Sequence, residues 1–343
     1  MTSTWILTDS LPVSTDTYYQ QVWDALQFVQ DVTSYLCFIV NLIKTAVFAQ
    51  KCMRKASSGK FMLALSSSHF TWLLFRVLHS IAKRAITDPE KVYAYDMFVL
   101  YVGISVGNVL YRSCLFIACL MSSERLYAVS RPLHIKQFIL ARRPLLFVFA
   151  IFLLTACYHM YVPLQYTFYM VSGINGTKIV VFGYTDWYFG NRNIVNGFSA
   201  AGKIIFIFVP LVWISAFNAL VVYFLRRHSD DYKTVQRTAD EEAISRHDRQ
   251  MTLTILACTA GYVIFILPAT LHFLALTVVP EYNYTGRLEN MVRLMEEVQD
   301  FCLQLSFMSD FLSFLLLSKA FRDCLMHLLM CRNFRADVRN KRI

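Results

Sequence analysis

Residues 123–133 read SERLYAVSRPL and follow an apolar run that covers residues 94–122. A run of this length exceeds the roughly 20 residues that a helix needs to cross a lipid bilayer, so Glu124 and Arg125 would lie where the helix leaves the hydrocarbon. An arginine at that edge needs a partner. The adjacent glutamate can hold it in one state, while an incoming protein offers other partners in a second state. The stretch therefore predicts a membrane-spanning helix that ends in a switchable ion pair.

Six further apolar runs accompany this one along the chain. The seven runs are 31–50, 61–82, 94–122, 144–163, 199–225, 250–279 and 295–317. Hydrophobic residues make up 56% of the 343 positions and charged residues only 16%, whereas a soluble domain has roughly 25% charged residues. The first run is the weakest, because Asp31, Asn41 and Lys44 interrupt it. The sequence thus predicts an all-α membrane protein, a bundle of seven transmembrane helices followed by a short amphipathic cytoplasmic helix.

The basic residues predict the orientation of this bundle, because Lys and Arg in short loops stay on the cytoplasmic side. With the N-terminus outside, the cytoplasmic segments hold 22 basic residues and the extracellular segments hold seven. The N-glycosylation sequons at Asn175 and Asn283 both fall on the side assigned as extracellular. The net charge of +10 is therefore a topology signal and argues against nucleic acid as a partner. We expect a multi-pass protein of the plasma membrane with a cytoplasmic C-terminus, in contact with membrane lipids.

The chain is expected to have three segments. They are an extracellular tail over residues 1–30, a seven-transmembrane domain over 31–318, and the amphipathic helix with a cytoplasmic tail over 319–343. Cys331 closes the amphipathic helix and is either palmitoylated or an unmodified buried cysteine. None of the nine cysteines falls in a predicted extracellular loop, so we expect no structural disulfide.

The stretch at 123–133 resembles the Asp/Glu-Arg-Tyr box of rhodopsin-like (class A) G-protein-coupled receptors, and the resemblance extends over nearly the whole chain. It implies a receptor without cofactor that transmits the binding of an extracellular ligand, a peptide or a small molecule, to a heterotrimeric G-protein. Residues 279–290 further resemble the third extracellular loop of invertebrate chemosensory and neuropeptide-type receptors. No zinc-binding HExxH or paired-aspartate motif is present in the sequence, so we expect neither a metal site nor an enzyme.

Two other classes remain open. A non-signalling decoy receptor is the more serious one, because this chain lacks the family's tryptophan in helix six, its proline and tyrosine in helix seven, and its extracellular disulfide. A channel or transporter would also explain seven helices, but inverted repeats and helices broken near mid-membrane are not apparent.

The resemblance implies which residues form the switch for activation and G-protein coupling. They are Glu124, Arg125, Asn218, Asp248, Tyr262, Pro268, Asp310 and Phe314. Asp248 is expected to bridge to Arg125 in the inactive state, and a solvated surface charge is the alternative. Pro268 can bend helix six so that small movements near a ligand become larger at the cytoplasmic end. Pro210 frees a carbonyl in helix five and permits a local bulge.

A polar network in mid-membrane is expected from Asn41, His69 and Asp310. Asn41 and His69 are 28 residues apart, which matches the spacing of the family's central asparagine and of the aspartate that normally holds a sodium ion. Because His69 replaces that acid, sodium regulation is in doubt. A pH-sensitive histidine and a hydrogen-bonded interior histidine are alternatives. Asp310 is expected either to pair with His69 or to be solvated by internal water.

Charged and polar residues in the outer halves of the helices are the candidates for ligand binding. They are Arg76, His79, Arg112, Lys203, Asp300 and Gln304. Because cations outnumber anions among them, the ligand is expected to be acidic. In the alternative, Arg76 pairs with Asp300, Arg112 bonds to backbone carbonyls and Lys203 reaches outward to the membrane surface. Gln304 stands where visual pigments carry their retinal lysine, which argues against an opsin.

Overall fold

The computed structural model describes residues 17–86, 88–172, 178–232, 239–283 and 287–330. In this part of the chain, seven helical stretches are long and apolar enough to cross a membrane, and we call them spans 1 to 7 in chain order. They are Gln21–Phe48, Ser57–Ala82, Lys91–Ser130, Pro144–Gln165, Asp186–Arg227, Arg249–Val278 and Glu289–Leu317. Each overlaps one of the seven apolar runs, and the predicted fold class is confirmed.

The helices extend beyond the apolar runs at several ends. The α-helices are Thr17–Phe48, Ser57–Ala85, Pro89–Phe98, Ser105–Ser130, Ile139–Arg142, Pro144–His159, Val162–Gln165, Asp186–Lys203, Val209–Tyr232, Ala239–Val278, Glu289–Leu317 and Lys319–Leu329. Short 3-10 helices cover Met53–Lys55 and Pro132–Gln137. The helix Lys319–Leu329 is the predicted amphipathic helix, and it buries Phe321 and Cys324. Cys331 lies outside the described residues, so its palmitoylation stays a prediction.

Two spans contain a π-helical segment. One covers Ile204–Phe208 in span 5, immediately before Pro210. Proline has no backbone N–H, so the regular hydrogen-bond ladder cannot continue through it, and a π turn accommodates the interruption. The predicted bulge in helix five is therefore confirmed. The second π segment, Val99–Ile104 in span 3, was not predicted.

A β-hairpin joins spans 4 and 5, and the sequence analysis did not predict it. Strand β1, Tyr166–Ser172, pairs antiparallel with strand β2, Lys178–Tyr184. Aromatic and β-branched residues, which favour strands, fill most positions of both. The eight cysteines in the described ranges are free. The two strands are therefore held together by their hydrogen bonds and not by a disulfide between these cysteines. We call this end of the bundle the hairpin end and the opposite end the Arg125 end. Asn175 lies between the strands, outside the described residues.

Candidate functional site

The predicted ion pair is present at the Arg125 end. Nη2 of Arg125 lies 3.2 Å from Oε2 of Glu124, whose side chain is 1% exposed. Two serines at the start of span 2 complete the arrangement, which we call the charge lock. The hydroxyl of Ser57 donates a hydrogen bond to Glu124, and Arg125 donates one to the hydroxyl of Ser58. Span 2 thus holds both charges of span 3, and a relative movement of the two spans would release them.

The loop between spans 1 and 2 places these serines. The chain turns through the 3-10 helix Met53–Lys55, and Gly59 passes close to the start of that turn. A Cβ atom on Gly59 would lie only 1.8 Å from the backbone oxygen of Met53. No side chain fits there without moving backbone, so glycine is required at this position.

A second link connects three spans one turn further into the membrane. Oδ1 of Asn218 in span 5 accepts hydrogen bonds from Ser122 of span 3 at 3.4 Å and from Thr259 of span 6 at 3.1 Å. Asn218 was predicted as a switch residue from its position, and the structure identifies its two partners. Because Ser122 is three residues from Arg125, this contact couples span 6 to the region of the charge lock.

Two further residues that were predicted to belong to the switch lie on span 6. The helix Ala239–Val278 passes through position 248 and contains Pro268 in its interior. The side chain of Asp248 lies outside the described part of the structure, so its bridge to Arg125 stays a prediction. The hinge at Pro268 also stays a prediction.

Phe314, the last of the predicted switch residues, belongs to an aromatic cluster. Its ring centroid lies 4.9 Å from that of Phe48 in span 1 and 5.6 Å from that of Phe321. All three side chains are fully buried. The cluster ties spans 1 and 7 to the helix Lys319–Leu329.

The mid-membrane network is built around a residue that the sequence analysis did not include. Lys44 of span 1 is fully buried, and its Nζ lies 3.6 Å from Oδ2 of Asp310 and 3.3 Å from Nδ1 of His69. The hydroxyl of Tyr262 lies 2.6 Å from Nε2 of His69 and donates to Oδ2 of Asp310 at 3.1 Å. Lys44, His69, Tyr262 and Asp310 therefore form a closed ring of polar contacts that joins spans 1, 2, 6 and 7, and we call it the Lys44 ring.

The chemistry of Lys44 fixes the state of His69. An ammonium group has only donors, so Nδ1 of His69 accepts a hydrogen bond, and the ring proton resides on Nε2 and points to Tyr262. His69 also stacks on Phe307, with ring centroids 3.9 Å apart. His69 is therefore hydrogen-bonded in the interior of the bundle, and the pH-sensitive alternative stays a hypothesis.

The predicted members of this network differ in their contacts. Nδ1 of His69 lies 3.8 Å from Oδ2 of Asp310, but without a proton it does not pair with the carboxylate, and the two residues are linked through Tyr262 and Lys44. Asn41 donates instead to the carbonyl of Cys37 in its own helix at 2.9 Å. In the described residues Asn41 makes no hydrogen bond to the Lys44 ring. The ammonium of Lys44 occupies the neighbourhood of Asp310 in which the resemblance implies a sodium ion.

A cavity of about 400 Å³ opens at the hairpin end, within the ~300–1,000 Å³ range of small-molecule sites. Its lining includes Arg112, Tyr158, Tyr166, Lys203, Phe273 and Glu296, from spans 3 to 7 and the base of the hairpin. Gly202 brings span 5 close to span 4, because a Cβ there would lie 3.1 Å from the ring of Tyr158. Burial raises the pKa of the Tyr166 phenol, which keeps it a neutral hydrogen-bond donor.

The cavity gathers two of the six residues predicted to bind ligand. Arg112 and Lys203 line it, whereas Arg76 and Asp300 pair with each other at 3.0 Å. Nδ1 of His79 lies 3.0 Å from the hydroxyl of Tyr95. Gln304 is fully buried, and its side-chain amide has no hydrogen-bond partner in the described chain. The pairing foreseen as the alternative for Arg76 and Asp300 is therefore observed.

Sequence reasoning missed three groups of residues at these sites. Lys44 was seen only as an interruption of the weakest apolar run, although a lysine within a membrane span is itself a signal for a buried partner. Ser57 and Ser58 carry no signal of their own. The tyrosines of the cavity lie at the end of span 4 and at the start of strand β1, so the aromatic stretch from Tyr158 to Tyr166 was the available signal.

A bundle of seven spans, with a ligand-sized cavity at one end and a serine-held acid–arginine pair at the other, defines the class of G-protein-coupled-type receptors. The family model described as serpentine type 7TM GPCR chemoreceptor Srw matches residues 27–332. The chain belongs to this family, and the predicted resemblance to a divergent invertebrate chemosensory branch is confirmed. The search of curated proteins found no match to this chain.

Proposed function

We propose that this chain is a chemoreceptor that transmits the binding of an extracellular small molecule to a heterotrimeric G-protein in the cytoplasm. The charge lock is the observation that carries the proposal. Glu124 is almost fully buried, and Arg125 bonds only to Glu124 and Ser58 within the described residues. Buried charges of this kind need continuous pairing, so release of Arg125 requires a new partner. An incoming G-protein would supply one.

The contacts between the two ends supply a route for the signal. Span 6 contributes Phe273 to the cavity, Tyr262 to the Lys44 ring and Thr259 to Asn218. Pro268 lies between the cavity and the ring, where its missing hydrogen bond makes the helix easier to bend. Ligand binding would swing span 6 about Pro268, separate Thr259 from Asn218 and open a cleft beside Arg125.

Replacing Arg125 with alanine is expected to lower G-protein nucleotide exchange at least tenfold, because the side chain that contacts the G-protein is lost. The measurement uses receptor in lipid nanodiscs with purified heterotrimeric G-protein and a library of water-soluble small molecules.

Replacing Ser58 with alanine should have the opposite effect and raise basal exchange. It removes one hydrogen bond to a charged group, worth about 1.5–3 kcal/mol, from the closed state.

Arg84→Ala is the matched control, because Arg84 pairs with Asp31 near the hairpin end, far from the charge lock. It should leave exchange unchanged. Full exchange in Arg125→Ala would refute the role of Arg125. If no compound stimulates exchange in the unmodified receptor and Ser58→Ala has no basal activity, the decoy receptor becomes the better description.

The orientation is part of the proposal: the hairpin end faces the outside of the plasma membrane and the Arg125 end faces the cytoplasm. The basic-residue count supports it, and so does the position of Asn283 in the connection between spans 6 and 7.

Glycosylation provides the test of this orientation. Expressed in insect cells, the wild-type receptor should move faster on a gel after enzymatic deglycosylation, because the oligosaccharyltransferase acts on lumenal acceptors. The double variant Asn175→Gln, Asn283→Gln should show no shift, and each single variant identifies the site in use. A shift that persists in the double variant would place the glycan elsewhere and remove this support.

A further inference from the structure

The cavity at the hairpin end contains a cation whose hydrogen-bonding groups are not satisfied. Arg112 lines the cavity, and its Nε and Nη1 atoms are buried without a hydrogen-bond partner. The Cζ atom of Arg112 lies 5.5 Å from the centroid of the neighbouring Tyr111 ring. The backbone carbonyls expected as the alternative partners do not satisfy these two nitrogens. A guanidinium is always charged, and buried donors without acceptors are unfavourable, so the site lacks an acceptor.

A second cation also lines the cavity. Lys203 of span 5 lines it, and its Nζ lies 5.3 Å from the centroid of the Phe273 ring. It therefore turns inward, unlike the outward orientation foreseen as the alternative. Between the described residues, no carboxylate lies within 4.0 Å of the side-chain nitrogens of Arg112 or Lys203.

The acids near this cavity do not neutralise the two cations. Asp300 is engaged by Arg76 at 3.0 Å. Among the described lining residues, Glu296 is the one acidic side chain, and it has interactions of its own. This described lining presents two positive side chains against one negative side chain, and an anionic ligand would restore the balance.

The remaining lining indicates what the rest of the ligand looks like. Tyr158, Tyr161, Tyr166 and Phe273 contribute aromatic surface to the cavity, and polar side chains such as Asn108 and Gln165 lie among them. Such walls favour an apolar or aromatic body, because a small-molecule site combines mostly apolar lining with a few polar groups that fix orientation. A volume of about 400 Å³ admits a metabolite-sized molecule and excludes a folded domain.

We propose that this cavity binds a small organic carboxylate, which Arg112 anchors by charge-assisted hydrogen bonds and Lys203 holds as a second cation. The proposal rests on the proposed function, since it names the class of ligand that the receptor detects. It differs from a general attraction of anions, which inorganic phosphate would share, because the anion must be carried on an organic body, and a neutral compound of the same shape should not bind either.

The test measures binding without a G-protein, so that its outcome is independent of coupling. Receptor in lipid nanodiscs is heated with millimolar benzoate, phenylacetate or indole-3-acetate, each beside its primary amide, and with inorganic phosphate. At least one carboxylate should raise the unfolding temperature while its amide does not. Arg112→Gln should weaken that carboxylate about 10- to 100-fold, the range expected for loss of hydrogen bonds to a charged group.

Two further variants distinguish binding from folding. Arg84→Gln is the matched control and should bind as the wild type does, because Arg84 does not line the cavity. Lys203→Gln should give a smaller loss of affinity, and it serves as the second variant if Arg112→Gln fails to fold.

Four results would overturn the proposal: amides that stabilise as well as carboxylates, stabilisation by phosphate alone, absence of any carboxylate shift, or an unchanged shift in Arg112→Gln. Carboxylate binding without any stimulated exchange would leave this inference standing and contradict the coupling role.

Discussion

Replacement of Lys44 by methionine is expected to lower the free energy of unfolding by ~3–5 kcal/mol, the cost of removing one partner from a buried ion pair. Lys44 and Asp310 are both fully buried and 3.6 Å apart. Without Lys44, the carboxylate of Asp310 would lose its cation and keep the hydroxyl of Tyr262, and its Oδ1 already has no hydrogen-bond partner in the described structure. The unfolding temperature in detergent reports the loss through a thiol-reactive dye, because Cys37, Cys114 and Cys258 are buried in the folded chain.

A double variant separates loss of pairing from loss of packing. Lys44→Met with Asp310→Leu removes both charges, and replacing a buried ion pair by apolar residues is often neutral or stabilising. We therefore expect the double variant to be more stable than Lys44→Met alone. Lys203→Met is the control, because Lys203 lines the cavity and has no ion pair among the described residues. Equal stability of Lys44→Met and the wild type would mean that the ring contributes nothing to the fold.

Replacement of Gly59 by alanine is expected to be at least as damaging, although it adds a single methyl group. The new Cβ would meet the backbone oxygen of Met53 at 1.8 Å. A backbone atom cannot rotate away, so the first turn of span 2 must move. We expect a loss of stability beyond the ~1–3 kcal/mol of an ordinary overpacked site. Because Ser57 and Ser58 share that turn, basal G-protein exchange should rise in whatever fraction of the variant folds.

Gly197→Ala is the matched control for this prediction. Nothing lies within 4 Å of a Cβ placed on Gly197, which sits inside the helix Asp186–Lys203. Alanine in a helix interior is favoured over glycine by roughly 0.5–1 kcal/mol, so this variant should melt slightly higher than the wild type. Thermal unfolding of both variants side by side tests the prediction. Similar behaviour of the two variants would show that the close approach at Gly59 does not constrain the protein.

The features read correctly from the sequence are those that depend on one segment at a time. Spans follow from apolar runs, the bulge before Pro210 from its missing N–H, and the pair Glu124-Arg125 from adjacency. The charge lock could not be completed in this way, since Ser57 and Ser58 are ordinary helix-start residues until span 2 is placed against span 3. The same holds for Lys44, whose partner Asp310 lies in the last span.

The candidate ligand residues show where the limit lies. Three of the six predicted residues have partners elsewhere in the outer half of the bundle, since Arg76 pairs with Asp300 and His79 contacts Tyr95, and a sequence does not say which charges pair. The spacing of these residues in the sequence did not show that Arg76 pairs with Asp300, nor that Arg112 has no carboxylate partner. The hairpin is different, because aromatic and β-branched residues fill most of the runs 166–172 and 178–184 and were a usable signal for two strands.

The π turn at Ile204–Phe208 also changes how positions in this family should be compared. A π turn accommodates one residue more than the α-helical turn it replaces, which rotates everything on its far side by about 100°. The π turn lies between Pro210 and Lys203, so it changes the direction in which Lys203 points. In a relative without the extra residue, the side chain seven positions before the proline would face a different direction. Sequence alignments anchored on the proline therefore pair residues that face different surroundings, and the detection chemistry of relatives is better compared after the register of this turn has been established.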